Sequence, residues 1–276
     1  MGGPGKARSL KTSLTDLAMT QIKVGVQLHP QQSSFEDYRR AWLQLDEMGV
    51  DSLWNWDHFF PLYGDRNGAR FEGWTSLAAL GPQTKNAHVG CLVLSVSYRN
   101  PALLSAMATT LDHATGGRLV LGVGAGWHER DYREYGYDFG TPGQRLRNLE
   151  RGLEIIKERW QKDNPGPVRR SVPILIGGGG EKVTLRITAQ HADLWNSFGP
   201  PSTWERKNRI LDEWCAKVGR DPRAIERTMA IGKRELNSLD DCLRAGASHL
   251  IYNLGAPFDL APVERLLSWR HARRDA

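Results

Sequence analysis

Eight histidines and two glycine-rich stretches carry most of the chemical potential of this sequence. His58 directly follows Asp57, and an imidazole beside a carboxylate can move protons near neutral pH. His29, His128 and Glu129 are further groups of the same kind. Gly177, Gly178, Gly179 and Gly180 form an unbroken run in which backbone N–H groups could approach an anion closely; the plainer reading is a flexible turn. Gly124, Ala125 and Gly126, followed by Trp127, leave room for a flat ring against the backbone, or simply pack tightly. Trp54, Trp56, Trp127 and Trp195 each suit a core, yet together they suit a planar cofactor or an apolar substrate. A metal hydrolase could draw on Asp57, His29, His58, His128 and Glu129, but there is no HxH on the first strand and no HExxH, so no metal site is expected. No GxSxG marks a serine nucleophile.

These groups act together only if the fold brings them to one surface. Residues 22–28 alternate as a strand, and Ser34 with Glu36 and Asp37 opens a helix that Gly49 stops. The alternation continues with strands at 51–56, 88–94, 118–123, 173–176, 192–195, 225–231 and 248–253. Helices are predicted at 74–84, 101–114, 141–160, 181–190, 202–218, 239–245 and 260–269, with Pro101 at a favoured first position and Ser202 or Thr203 as a cap. Eight strand–helix units imply a parallel sheet, and in about 250 residues they fit a closed α/β (β/α)8 TIM barrel. The rival is an open doubly wound sheet, but no strand-linked GxGxxG with a later acidic residue is present. A barrel places its chemistry at the C-terminal ends of strands. Those ends hold Gln27 and His29, Asp57 and His58, Trp127 and His128, the glycine run, Asn196, and Asn253. His88 and His249 fall at strand starts, on the face that serves stability; His113 and His191 lie late in helices.

Composition narrows the function classes. Of 276 residues, 40% are hydrophobic and 25% charged, an ordinary globular balance. No apolar run nears the roughly 18 residues of a membrane helix, and no signal-peptide pattern is visible, so no membrane partner is expected. Cys91, Cys215 and Cys242 are widely spaced and odd in number, which suits reduced thiols in a cytoplasmic protein. The net charge of +6 could suggest nucleic acid, but residues 1–21 and 270–276 carry +2 each, leaving no basic stripe on the folded part. Residues 1–20 read as a flexible arm, with Met19 as a candidate start, residues 21–270 as one barrel domain and residues 271–276 as a basic tail.

Four segments in this order carry a resemblance across residues 22–269: GVDSLW (49–54) leading to Asp57-His58-Phe59; GCLV (90–93) with YRNPA (98–102); GRLVLGVGAGW (117–127); and PILIGGG (173–179). Together they resemble the bacterial luciferase-like superfamily of (β/α)8 flavin and deazaflavin oxidoreductases, and most of all its coenzyme F420-dependent branch. The resemblance implies that His58 faces the deazaflavin and serves proton transfer, with Asp57 beside it. It implies that Leu92 and Val93 form a third-strand bulge with a non-proline cis peptide against the ring, and Cys91 just before them is a further cofactor-binding candidate. Gly124, Ala125, Gly126, Trp127, Gly177 and Asn196, at strand ends, are further cofactor-binding candidates, and the resemblance implies that Gly178, Gly179 and Gly180 take the phosphate end. In sugar-phosphate dehydrogenases of this branch an acidic residue follows the fourth-strand GxG; here Trp127 stands there, which favours a reductase that passes hydride from reduced F420 to an imine, an enone or a similar small molecule. An FMN-dependent monooxygenase and a non-catalytic flavin-binding protein remain alternatives. The family also implies a homodimer.

Overall fold

The computed structural model describes residues 22–274. The first half runs β1 (Lys23–Leu28), α1 (Phe35–Glu47), β2 (Ser52–Asn55), α2 (Gly73–Leu80), β3 (His88–Cys91), β4 (Leu94–Ser95), α3 (Pro101–Ala114) and β5 (Leu121–Gly124). It continues with α4 (Glu129–Glu134), α5 (Pro142–Lys162), β6 (Ile174–Gly177), α6 (Thr184–His191), β7 (Leu194–Phe198) and α7 (Pro201–Val218). The chain then forms β8 (Glu226–Ile231), α8 (Leu239–Arg244), β9 (His249–Leu254) and α9 (Ala261–Arg274). The strands pair in parallel in the order β3-β2-β1-β9-β8-β7-β6-β5-β4. The halves β3 and β4 are one barrel strand interrupted at Leu92–Val93, whose peptide bond is cis, as the resemblance implies. A parallel bridge between Val89 and Leu119 joins the two ends of the order, and the eightfold barrel closes.

Parallel strands need a crossover, and here helices supply it, covering the outer face of the sheet. The strands are therefore apolar on both sides, and β1 is buried from Val24 to Leu28. Side chains alternate along each strand. Leu53 and Val89 face outward into the layer shared with Leu45, Leu77 and Leu111 of the helices. Trp54, Leu92, Val120, Leu175, Leu194 and Ile251 form a separate inner cluster. The indole of Trp54 fits inside the barrel because Gly90 has no side chain; a Cβ there would lie 2.7 Å from the ring.

The N-terminal end of the barrel is closed by polar groups. Lys23 Nζ lies 2.7 Å from Glu226 Oε2, and His249 Nδ1 lies 2.7 Å from Glu226 Oε1. His249 Nε2 reaches Ser52 Oγ at 2.8 Å, which also accepts the Trp54 indole N–H at 2.7 Å. Burial would raise the Glu226 carboxyl, but the His249 and Lys23 contacts outweigh it and bring it down to about 2.

Several boundaries differ from the sequence pattern. The expected helix at 181 begins at Thr184, after a turn over residues 181–183 that follows the glycine run. Neither Ser202 nor Thr203 caps α7: Pro201 takes its first turn and Pro200 the cap position, so the helix starts before both hydroxyls. The short α4 is absent from the sequence reading. Residues 271–274, read as part of a basic tail, continue α9, whereas the arm of residues 1–20 lies outside the described residues.

Candidate active site at the C-terminal mouth of the barrel

The C-terminal strand ends surround a cavity of about 640 Å³. Asp57, His58, Leu92, Val93, Gly124, Ala125, Gly126, Trp127, Gly177, Gly178 and Asn196 all line it. They come from five strand ends distant in sequence, which a closed barrel alone brings together. Cys91, Gly179 and Gly180 do not line it. Strand alternation turns Cys91 away from Leu92, and its thiol donates to Asn55 Oδ1 at 2.8 Å. Gly179 and Gly180 continue past the cavity on the loop into α6; a Cβ at Gly179 would lie 2.5 Å from Lys207 Nζ and 2.9 Å from Ser197 Oγ, and one at Gly180 2.7 Å from Thr184 Oγ1. That loop thus gathers an ammonium, two hydroxyls and backbone amides, a donor set matched to phosphate.

His58 is held from behind. Its Nδ1 lies 2.7 Å from Oδ2 of Asp131, a buried carboxylate on α4. Asp131 Oδ1 accepts the Phe59 N–H at 3.1 Å, and Oδ2 accepts the Tyr98 hydroxyl at 3.3 Å. His128 Nδ1 sits 3.2 Å from the same oxygen but without hydrogen-bond geometry. Burial would raise the Asp131 carboxyl, yet the hydrogen bond and charge of His58, and then the charge of His128, outweigh it and hold it below the usual carboxylate value. An ionised acceptor keeps the His58 proton on Nδ1 and leaves Nε2 as the working nitrogen of a cavity-lining ring. Sequence reasoning missed Asp131, which is 73 positions from His58. Its one signal was the spacing of three residues after His128, which a helical turn converts into proximity.

Asp57 has a different task from its neighbour. Arg99 grips both its oxygens, at 2.7 and 2.9 Å, and also bonds Glu72 at 2.5 Å. Asp57 Oδ2 accepts the Ser95 N–H at 3.1 Å. The carboxylate so fixes the chain just beyond the Leu92–Val93 bulge, whose Leu92 carbonyl accepts from the Gln27 amide. Arg99 stood within a quoted motif but was not singled out as a site residue. The opposite wall depends on Gly126. Its φ is 78°, and a Cβ would lie 1.8 Å from Tyr132 Oη. The Tyr132 hydroxyl pairs with Ser95 Oγ at 2.8 Å, so the glycine wall and the bulge are tied together.

Across the barrel from the glycine loop, His29 stacks on Trp56 with centroids 4.0 Å apart. Burial lowers His29 to about 4, so its ring is neutral near pH 7. Trp127 meets the His58 ring edge-on at 5.5 Å and is 64% exposed at the rim. Of the groups weighed for a metal, Asp57 is bound to Arg99 and Glu129 pairs with Arg133 at 2.6 Å. Donor atoms of His58, His128 and Asp131 lie within 4.8 Å of one another, but the 2.7 Å contact among them is of hydrogen-bond length. Among the described residues no helix is long and apolar enough to cross a membrane.

Comparison with known proteins bears on the fold and the family. The F420-dependent glucose-6-phosphate dehydrogenase of Amycolatopsis mediterranei is 29% identical over 145 residues, 52% of this chain and 43% of its own. The 4-hydroxyprotoasukamycin monooxygenase of Streptomyces nodosus subsp. asukaensis is 26% identical over 189 residues, 62% of this chain and 49% of its own. The matched stretches span less than half of either relative. The solved structure of an F420-dependent secondary alcohol dehydrogenase in complex with an F420-acetone adduct superposes with a TM-score of 0.79 at 17% identity, covering 88% of this chain and 96% of that one. The model of the luciferase-like monooxygenase family matches residues 17–232, and the chain belongs to that family.

Proposed function

We propose that the protein is a coenzyme F420-dependent oxidoreductase working as a reductase on a small unsaturated organic molecule. The observation that carries this reading is the His58–Asp131 pair at the edge of a glycine-walled cavity. The residues present fit the cofactor. Leu92, Val93 and the Gly124–Gly126 backbone offer a wall without projecting side chains, and the loop of Gly178, Gly179 and Gly180 with Lys207, Ser197 and Thr184 suits a phosphate. When bound, the reduced deazaflavin would supply a hydride from C5. The chain's own residues do the rest. Asp131 holds the His58 proton on Nδ1, and protonated His58 delivers a proton from Nε2 to the substrate's oxygen or nitrogen as carbon receives hydride. A carbonyl substrate would then leave as an alcohol, with His58 the source of its hydroxyl proton.

A second reading is an FMN-dependent monooxygenase, favoured by the monooxygenase among the relatives. The reading includes a homodimer in the cytoplasm, where Cys91, Cys215 and Cys242, all free and buried, stay reduced. The testing experiment is His58→Ala: turnover should fall about 10²–10⁴-fold while cofactor affinity holds. Unchanged turnover removes His58 from the mechanism.

A further inference from the structure

The charges around the cavity are lopsided. Among the described residues no lysine or arginine lines it. Arg99, the cation behind Asp57, is committed to Asp57 and Glu72. The acidic group on the lining besides Asp57 is Glu235, whose Oε2 accepts the Gly232 N–H at 2.9 Å and which has no ion pair among the described residues. Lys207 belongs to the glycine loop, where the cofactor's phosphate end is placed. The mouth is also rich in aromatic side chains. His29 stacks on Trp56, Tyr63 leans on both, and Trp127 covers His58. Tyr63 and Trp127 are 62% and 64% exposed.

Resting on the oxidoreductase reading, we propose that the substrate is an uncharged carbonyl compound with a flat apolar body, held between the Trp56–Tyr63 and Trp127 faces, and that phosphorylated substrates are excluded. A phosphate there would find no lysine or arginine, only a His58 imidazolium already paired with Asp131, and burying an unpaired charge is costly. An apolar ring instead gains area and aromatic contact. His29 agrees with this, since burial keeps it neutral and denies an anion a cation on that side of the mouth. This separates the chain from its sugar-phosphate-oxidising relative despite their shared motifs.

Calorimetric titration of the purified protein, with and without F420, tests the proposal using acetophenone and glucose 6-phosphate as probes. Acetophenone should saturate in at least one of the two states, and glucose 6-phosphate in neither. Trp127→Ala, at an exposed position, should weaken acetophenone roughly tenfold, an aromatic contact's worth. Glu235→Lys should make glucose 6-phosphate binding measurable. Saturation of the parent protein by glucose 6-phosphate, or no acetophenone binding in either state, overturns the proposal. The F420 titration in the same series judges the cofactor separately: acetophenone binding without F420 binding removes the F420 reading and supports the cavity argument.

Discussion

Replacing Asp131 with asparagine changes one oxygen to nitrogen and should disable the proposed proton transfer. Asparagine keeps an acceptor for the Phe59 N–H, which lies 3.1 Å from Oδ1. Its amide then faces His58 Nδ1 across the 2.7 Å contact, and the imidazole must accept there, moving its proton to Nε2. The anion that would stabilise an imidazolium is gone. Loss of positioned proton transfer costs about 10²–10⁴-fold, or about 2.7–5.5 kcal/mol of barrier. Folding should suffer less, by about 1–3 kcal/mol, the scale of one charge-assisted hydrogen bond. The assay is single-turnover reaction of reduced F420 with a carbonyl acceptor, followed by deazaflavin absorbance, beside an F420 titration. Turnover should fall at least a hundredfold with F420 affinity within about twofold, and adding His58→Ala should change little more, because the two residues act as one unit. Parent-like turnover with intact cofactor binding would refute the role of the pair.

Other substitutions probe the scaffold. Glu226→Gln should destabilise the barrel at pH 7 by on the order of 3 kcal/mol, the linkage expected from a carboxyl moved from 4.5 to about 2. Because that pKa is depressed, the contribution is present above about 4.5 and lost as pH falls toward about 2, so denaturant curves of parent and variant should converge between pH 5 and pH 2. An equal gap at both ends would contradict the network. Arg99→Ala leaves Asp57 and Glu72 without their shared cation, and a loss of about 3–5 kcal/mol is expected in urea unfolding. Gly126→Ala adds a Cβ 1.8 Å from the Tyr132 hydroxyl at a φ of 78°, so its thermal midpoint should drop and its cofactor affinity weaken; a parent-like melt would show that the wall yields freely.

The barrel was legible because its strands are short apolar runs between amphipathic helices, a pattern set by local periodicity. The mouth was legible in part for the same reason: once Asn55, Gly124 and Gly177 are strand ends, Asp57, His58 and Trp127 must gather there. Cys91 adjoins the bulge in sequence, but alternation turns it away from the cavity that Leu92 lines, which proximity in sequence does not reveal. Asp131 was invisible because α4 has six residues, too few for a periodic signal, and its partner comes from another strand end. Arg99 looked like part of a loop motif; its pairing with Asp57 spans 42 positions and exists only in three dimensions. Charge asymmetry around the cavity could not be read either, since 37 basic residues give no hint of which reach the mouth.

Parallel equilibrium titration of the purified protein with coenzyme F420 and with FMN, read by ring fluorescence, decides which cofactor the barrel mouth holds. Saturable F420 binding at least tenfold tighter than FMN is expected, weakened when Lys207 is replaced by alanine. FMN preference would contradict it and move the protein to the monooxygenase reading, and binding of neither would remove the cofactor from the glycine-walled cavity.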